Sequence, residues 1–410
     1  MKNILFIETN TTGTGSKAMK IAKDKGYKVH FWTSNFDQYN SMQENDHPSK
    51  IADEYLVIDT YDIEKMKYEI REKQLSFSGI LAFDDYHLLP AAALANEFNL
   101  PGHKACSLEK VRNKRKMRDH ILKNEFNLIS QPEYNAVSSI EDLDKIQLNF
   151  PCVIKPVDDS GSNGVTVCKN EEQLRNSLGT EIKRKTNERG YQLTEEWLIE
   201  EFITGEEYSA EMIYTDLSWK LVSVTEKETF GDHSVECGHI TGRLDFPFIN
   251  LEKNLSKLLE LFGLNFGAAH IEFFVVENNI YLVEINPRLA GDCIPELVEI
   301  ATGVNMVDHV VLQAIGERLD IGNKKEKFAS IQFALPVSLG EYKKVTGVEK
   351  VKDTKGFVRM SINKLPYIST GIKSSYHRLG YIITKGDTKK EAQIAAKEAI
   401  NTLEWSVSNG

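Results

Sequence analysis

The chain has 410 residues, more than one small module needs, and at roughly 150 residues per domain it fits two or three packed units. Hydrophobic residues at 41% and charged residues at 27% exclude a disordered chain. A net charge of −10, from 50 basic and 60 acidic residues, disfavours nonspecific attraction to nucleic acid or anionic membranes and confines any polyphosphate site to a local basic pocket.

In chain order, residues 4–7 read as a strand, 16–25 as a helix stopped by Gly26, and 28–32 as a second strand, which is a βαβ beginning. Strands at 55–58 and 79–83 follow, with helices at 63–73 and 90–97, and together they predict a small parallel sheet with flanking helices. No apolar run approaches the roughly 18 residues of a membrane span, and residues 4–7 lack the surroundings of a signal peptide, so the cytoplasm is the expected compartment.

After Pro101-Gly102 a basic helix is predicted over 108–123, its run 110–118 solvated apart from Lys114. Strands at 152–155 and 165–168 flank a Gly/Ser loop, 172–184 reads as a helix, and strands follow at 197–202, 208–214 and 220–225. A helix over 251–262, strands at 268–276 and 280–285, and helices at 295–301 and 305–316 come next, and an amphipathic helix at 389–403 closes the pattern. Cys106, Cys152, Cys168, Cys237 and Cys293 include no C-x-x-C pair and are expected as reduced core residues, not as disulfides or zinc ligands.

Gly13-Thr14-Gly15-Ser16-Lys17-Ala18 matches G-x-G-x-x-A between a strand and a helix, but the acidic residue of a dinucleotide site is missing after the second strand. The loop is therefore a nicotinamide site, a tight structural turn or a substrate-facing anion pocket. The second loop is more informative. Lys155-Pro156 precedes Asp158-Asp159-Ser160-Gly161-Ser162-Asn163-Gly164, and a strand, not a helix, follows. That excludes a Walker A loop, yet small residues let backbone N–H groups close on phosphate while Lys155 supplies charge; a flexible hairpin is the alternative. Glu200-Glu201-Phe202-Ile203 and then Glu207 end a strand where backbone groups can read an adenine edge and a carboxylate can take ribose hydroxyls, unless the acidic run is a solvated face.

Glu272, with Glu284 and Asn286 twelve and fourteen residues later, places hard oxygen donors among apolar strands, and buried carboxylates there need a partner or a cation. Magnesium suits them because it shares its octahedron between carboxylates and substrate phosphates. Register is the test: a two-residue turn at 278–279 would put Glu272 and Glu284 on opposite faces, whereas an odd-length turn centred on Asn278, or a bulge, would pair them. In Val235-Glu236-Cys237-Gly238-His239, Glu236 can pair an ammonium group and His239 can contact a carboxylate or the attacking amine, unless the segment is a capped loop; His233 and His270 read as structural.

As an ordered set these elements resemble the ATP-grasp superfamily over about residues 108–320. The resemblance implies an α/β and α+β ATP-grasp fold: an N-terminal βαβ, Rossmann-like domain at 1–107, an ATP-grasp domain at 108–320 with a lid subdomain at about 130–200, and a small C-terminal α+β domain at 321–410. It implies that Lys114 and Lys155 meet phosphates, with Asn113 where an Asp is usual. Ser160, Gly161, Ser162 and Gly164 would then form the closing loop, Glu200, Glu201 and Ile203 would face adenine, and Glu207 the ribose. Glu272, Glu284 and Asn286 would hold Mg²⁺, or Mn²⁺ in its place, and Arg288 would face the transferring phosphate.

Within the superfamily, Glu284-Ile285-Asn286-Pro287-Arg288-Leu289-Ala290-Gly291, then Ile294-Pro295-Glu296-Leu297, together with the Glu-x-x-His element, resemble the L-amino acid ligases. This places Glu236, His239, Arg288 and Gly291 at the substrate, with Asp292 where a small residue is expected. The implied activity is an ATP-dependent ligation of two L-amino acids, or of another amine and carboxylate, through an acyl-phosphate. The partners would be small molecules, neither nucleic acid nor membrane, and the superfamily suggests a homodimer. The alternatives are a biotin-carboxylase-like enzyme using bicarbonate, another ATP-grasp ligase with a non-amino-acid carboxylate, a dehydrogenase using Gly13 to Ala18, and a non-catalytic ATP sensor.

Overall fold

The structure is a computed structural model that describes residues 2–231, 235–242, 250–277, 279–318, 321, 325, 327–372 and 374–408. His233 and Asn278 lie outside the described residues. The first sheet is parallel, in the order Glu54–Val57, Lys28–Thr33, Asn3–Thr9, Gly79–Phe83. Its first crossover is the helix Thr14–Asp24, entered through Gly13 at φ +93°, a conformation that glycine adopts without Cβ strain. At Gly15 the missing Cβ lets Thr9 approach: its Oγ1 lies 1.8 Å from where that carbon would sit. Close packing of helix on strand thus accounts for one glycine of the G-x-G pattern.

An eight-stranded antiparallel sheet forms the centre, in the order Asn279–Asn286, Ala268–Val276, Glu206–Thr215, Ser218–Phe230, Val235–Gly242, Phe328–Ala334, Gly380–Gly386, Phe357–Ile362. The last three strands come from beyond residue 320, so the C-terminal segment extends the same sheet that carries the candidate carboxylates. Alternation along the strands divides this sheet into two faces. Ala210, Met212, Ile271, Phe273, Leu282 and Ile285 pack with Leu255, Leu258 and Leu259 of the helix Leu251–Leu261. The opposite face carries Ser209, Glu211, His270 and Glu272, which are polar and deeply set.

A separate antiparallel sheet, Tyr134–Val137, Trp197–Glu201, Cys152–Pro156, Thr166–Cys168, covers part of that polar face. A small sheet of Tyr367–Ser369, Gly340–Thr346 and Glu404–Ser408 completes the C-terminal part, beside the helix Lys389–Asn401, whose Thr388 and Glu391 form a reciprocal cap. Among the described residues no helix is long and apolar enough to cross a membrane.

Four readings need correction. The helix predicted over 108–123 is two helices, Ala105–Arg112 and Lys114–Lys123, because Asn113 turns extended and its side chain accepts from Lys116 N at 3.0 Å as an N-cap. Within the basic run, Arg118 as well as Lys114 is buried. Glu236 and His239 sit on a strand, not a capped loop, since Val235–Gly242 pairs on both sides. Of the cysteines, only Cys152, Cys168 and Cys293 are buried; Cys106 is exposed and Cys237 half-buried.

Candidate active site

A cleft opens between the polar face of the central sheet and the smaller antiparallel sheet. Its wall includes Lys114, Lys155, Ser160, Gly161, Ser162, Glu200, Glu201, Ile203, Glu207, Glu236, Glu272 and Glu284. The segments 114, 153–167, 200–207, 236 and 272–284, far apart in the chain, thus share one enclosure. Gly164, His239, Asn286, Arg288 and Gly291 stand outside that wall.

The covering side is organised by Glu200. Its buried carboxylate accepts from Arg118 Nε at 2.9 Å and from Lys155 Nζ at 2.6 Å. Burial alone would raise its pKa, but the two cations hold it below the usual carboxylate range. Burial outweighs Glu200 at Lys155 and lowers that pKa. Arg118 is itself fixed by the carbonyls of Leu282 and Val283 at 2.9 and 3.0 Å, which ties the cover to the floor. Both carboxylate oxygens of Glu200 are therefore engaged, and its side chain serves to hold Lys155.

On the floor, the strands Ala268–Val276 and Asn279–Asn286 pair His270 with Asn286 and Glu272 with Glu284, while Phe273 pairs with Leu282. The shift is a bulge at Val283, and it puts the two glutamates opposite each other on one face. Lys114 Nζ lies 3.1 Å from Glu284 and donates to Asp159 O at 2.8 Å. Burial would lower the Lys114 pKa, yet Glu284 brings it above the usual lysine value. Asn286 Nδ2 donates to Glu284 at 2.7 Å. Glu272 is held by Lys227 at 3.0 Å and by His270 at 2.8 Å, and the other His270 nitrogen meets Glu211 at 2.9 Å. Against burial, Lys227 and His270 hold Glu272 well below its normal pKa; Glu211 and Glu272 likewise lift His270 to about 9.

Lys227 is the hub of this floor. Its Nζ lies 3.1 Å from Glu207, 3.0 Å from Glu272 and 3.6 Å from Glu236, and against burial these carboxylates raise its pKa well above normal. Burial raises Glu207 despite Lys227.

The Gly/Ser loop is fastened to the N-terminal sheet. Tyr86, just past the strand Gly79–Phe83, donates its hydroxyl to Asp159 at 2.7 Å and lies 2.8 Å from Ser160 Oγ. Asp84 accepts from Arg189 at 3.1 Å, and Arg184 donates to Asp159 at 2.6 Å. Gly161 and Gly164 have φ of +68° and +72°, and a Cβ at Gly164 would lie 2.4 Å from a Glu181 oxygen. Gly164 thus shapes the loop from behind.

Arg288 does not reach into the cleft: its Nε and Nη2 fork onto Asp85 at 2.7 and 2.5 Å, and Nη1 donates to Leu289 O at 2.8 Å. His239 Nε2 lies 3.2 Å from Asp292, which accepts from Arg378 at 2.7 Å, and Arg378 also donates to Glu236 at 3.1 Å. Glu236 and His239 are thereby joined through Asp292 and Arg378. Gly291 supplies the backbone just before Asp292, whose φ is +51°.

A magnesium ion fits the floor by donor chemistry. Two facing carboxylates and the Asn286 carboxamide are hard oxygen donors. That matches an ion that takes one or two carboxylates and completes its octahedron with water and substrate phosphate.

Four residues outside the sequence-derived site matter here: Lys227, Arg118, Asp85 and Arg378. Lys227 carried one available signal, a lysine on the same strand face as Thr225 within an otherwise alternating run. Asp85 and Arg378 reach the site only through long-range packing, so local pattern held no trace of them.

Residues 148–296 match the family model described as an ATP-grasp domain, and residues 332–408 match that of the L-amino acid ligase C-terminal domain 2. An uncharacterised Sinorhizobium fredii protein, y4rH, is 22% identical over 86% of this chain and 73% of its own length. A Helicobacter pylori D-alanine–D-alanine ligase is 34% identical over 42% of this chain, and the matched part spans only 46% of that ligase. The crystal structure of an L-amino acid ligase from Bacillus licheniformis superimposes with a TM-score of 0.81 at 20% identity, covering 100% of this chain and 99% of that one. The chain therefore has an ATP-grasp fold, with an ATP-grasp domain match at residues 148–296, and its architecture is similar to that of this L-amino acid ligase.

Proposed function

We propose that the protein is a cytoplasmic ATP-dependent carboxylate–amine ligase that joins two L-amino acids, or an amino acid and another amine or carboxylate, releasing ADP and phosphate. The observation that carries this reading is the pairing of Glu272 with Glu284 on the floor of a cleft that also holds Lys114 and Lys155. The C-terminal family match supports the amino-acid class.

ATP would lie in the cleft with its base near Glu201 and Ile203, its ribose near Glu207 and its phosphates toward Lys114, Lys155 and the 158–164 loop. Glu272, Glu284 and Asn286 would hold Mg²⁺, which supplies charge neutralisation to the phosphates when bound. A substrate carboxylate oxygen attacks the γ-phosphorus, the bond to the β-bridging oxygen breaks, and ADP leaves with that electron pair. The amine, having released its ammonium proton to solvent, attacks the acyl carbon; the carbon–oxygen bond to phosphate breaks, and the second nitrogen proton goes to the departing phosphate. Lys114 and Lys155 stabilise charge on the transferring group, and the loop fastened by Tyr86 excludes water from the acyl-phosphate. Arg288, swung toward the phosphates while still paired with Asp85, would stabilise the same charge.

The test is phosphate release from Mg·ATP against all pairs of the common L-amino acids, with product masses determined. Release that needs a pair and yields its mass minus water supports the reading. Release driven by bicarbonate alone, or ATP binding without turnover on any pair, overturns the amino-acid assignment.

A further inference from the structure

Cys152 opens the strand Cys152–Pro156 and Cys168 closes the strand Thr166–Cys168. The two stand directly opposite each other in the antiparallel ladder, followed by Val153 opposite Val167 and Ile154 opposite Thr166. Directly opposed residues project from the same face with Cα atoms about 4.5 or 5.5 Å apart, inside the roughly 4.4–6.8 Å that a disulfide spans. Both side chains belong to one apolar cluster with Leu174 and Leu178 of the helix Glu171–Glu181. Pleating sends the next pair the other way, and Val153 and Val167 line the cleft. The cysteines therefore back the cover of the cleft, at the open end of the hairpin whose far end is the 158–164 loop.

The two sulfurs differ in character. Cys168 Sγ lies 3.8 Å from Ser177 Oγ, and the Cys152 thiol, followed by Ser177, brings the Cys168 pKa down to about 7 although burial raises it. Cys168, followed by burial, pushes the Cys152 thiol up. At neutral pH Cys168 thus supplies thiolate, the nucleophile of disulfide exchange, while Cys152 keeps its proton. Both are buried, but Thr166–Cys168 is a strand of 3 residues at the edge of its sheet. Phe150 and Pro151 before the pair, and Lys169 and Asn170 after it, are exposed. A short strand bonded on one side opens locally without unfolding the domain, so fraying of its end suffices to bring Cys168 to solvent.

We propose that Cys152 and Cys168 are a redox modification site, closed to a reversible disulfide by a low-molecular-weight disulfide, and that the bond slows nucleotide exchange in the cleft. The Cys168 thiolate attacks one sulfur of the oxidant, forming a mixed disulfide and releasing the first thiol. Cys152 then gives its proton to solvent and attacks the Cys168 sulfur, releasing the second. The protein loses two hydrogens, and the oxidant is reduced to two thiols. The product ties together the strands that flank the 158–164 loop, so the loop opens less freely. The effect on exchange rests on the nucleotide reading of the cleft; the bond itself does not.

The reduced full chain would be incubated with oxidised glutathione at neutral pH, quenched with N-ethylmaleimide, cut by Asp-N protease between the cysteines at Asp158 and mapped by mass without reduction. The expected product is a peptide pair joined through Cys152 and Cys168 and separated again by dithiothreitol. Cys152→Ser is expected to stop at a glutathione adduct on Cys168, and Cys168→Ser to leave Cys152 as its maleimide adduct. Recovery of both wild-type cysteines as maleimide adducts, or a bond from either to Cys106, Cys237 or Cys293, overturns the site, and the wild-type map decides this even where a variant fails to fold. Release of a fluorescent ADP analogue in stopped flow is expected to be about fivefold slower from oxidised wild type, and unaltered by the same treatment of Cys168→Ser. Equal release from oxidised and reduced wild type overturns the effect on exchange. Absence of nucleotide binding to the reduced protein overturns the nucleotide reading instead, with the mapped bond unaffected.

Discussion

Asp85, at the end of the fourth strand of the N-terminal sheet, holds the guanidinium of Arg288 in a two-point fork across 203 residues of sequence. Burial would raise the Asp85 pKa, but Arg288 keeps it below the usual carboxylate range, so the pair is ionised at neutral pH. The next residue, Tyr86, bonds the Gly/Ser loop, so one short segment touches both the arginine and the loop.

Asp85→Asn removes one charge of a buried pair and frees Arg288 to take other orientations. Ligase kcat/KM is expected to fall about a hundredfold, the scale of a misplaced group near the chemistry, with the KM for ATP little changed. Steady-state phosphate release with the active amino-acid pair checks this; an unchanged kcat/KM would show that the fork has no bearing on Arg288.

Tyr86→Phe deletes the hydroxyl that meets Asp159 and Ser160. At about 1 kcal/mol per hydrogen bond, opening of the 158–164 loop should become roughly 5–30 times more frequent. Hydrogen–deuterium exchange of the loop amides should rise by that factor, and phosphate release without amide product should increase.

Glu272→Gln and Glu284→Gln each remove a charge from the facing pair. Turnover should drop about 10²–10³-fold, the size seen when one preorganised electrostatic group is lost. Equilibrium binding of ATP should become less dependent on magnesium, and binding that keeps its full magnesium dependence in both variants would remove these residues from the metal site.

Lys227→Met leaves Glu207, Glu236 and Glu272 facing one another without their shared cation. The loss of stability should be about 3–5 kcal/mol at pH 7, from urea unfolding, as when one partner of a buried pair is deleted. The deficit should shrink at pH 5, because burial already raises the Glu207 pKa and protonation relieves the repulsion.

His103 supplies a pH dependence away from the carboxylates. Its Nε2 lies 3.1 Å from Pro287 O, and its Nδ1 is buried with no hydrogen-bond partner among the described residues. Burial lowers its pKa from 6.5 to about 4. Between those values the unfolded chain binds a proton that the native protein refuses, so stability is full above about pH 6.5 and falls as the pH drops toward 4. The contribution is about 3 kcal/mol at 1.36 kcal/mol per unit. Urea unfolding from pH 7 to 4.5 should show a steeper decline for wild type than for His103→Gln.

Most of the element order was legible because the signals are local. The strand at 268–276 and the amphipathic helix at 389–403 were read from local pattern, and the structure contains Ala268–Val276 and Lys389–Asn401. The two glutamates could be named from their apolar surroundings, and the need for a common face reduced the register to an odd-length turn or a bulge. The bulge at Val283 is what the structure contains. The break at Asn113 was missed because an N-cap inside a basic helical run resembles any other polar position until the chain turns there.

The sequence by itself determined the chemistry at hand: which strands carry carboxylates, where lysines and small residues stand, and that one sheet face is polar, since these follow from residue type and the periods of strand and helix. Tertiary structure alone decided which charges meet. Lys227 among three carboxylates, Arg118 behind Glu200, Asp85 on Arg288 and Arg378 between Glu236 and Asp292 are contacts between distant segments, and a buried ion's energy depends on its neighbours in space, which no local pattern records.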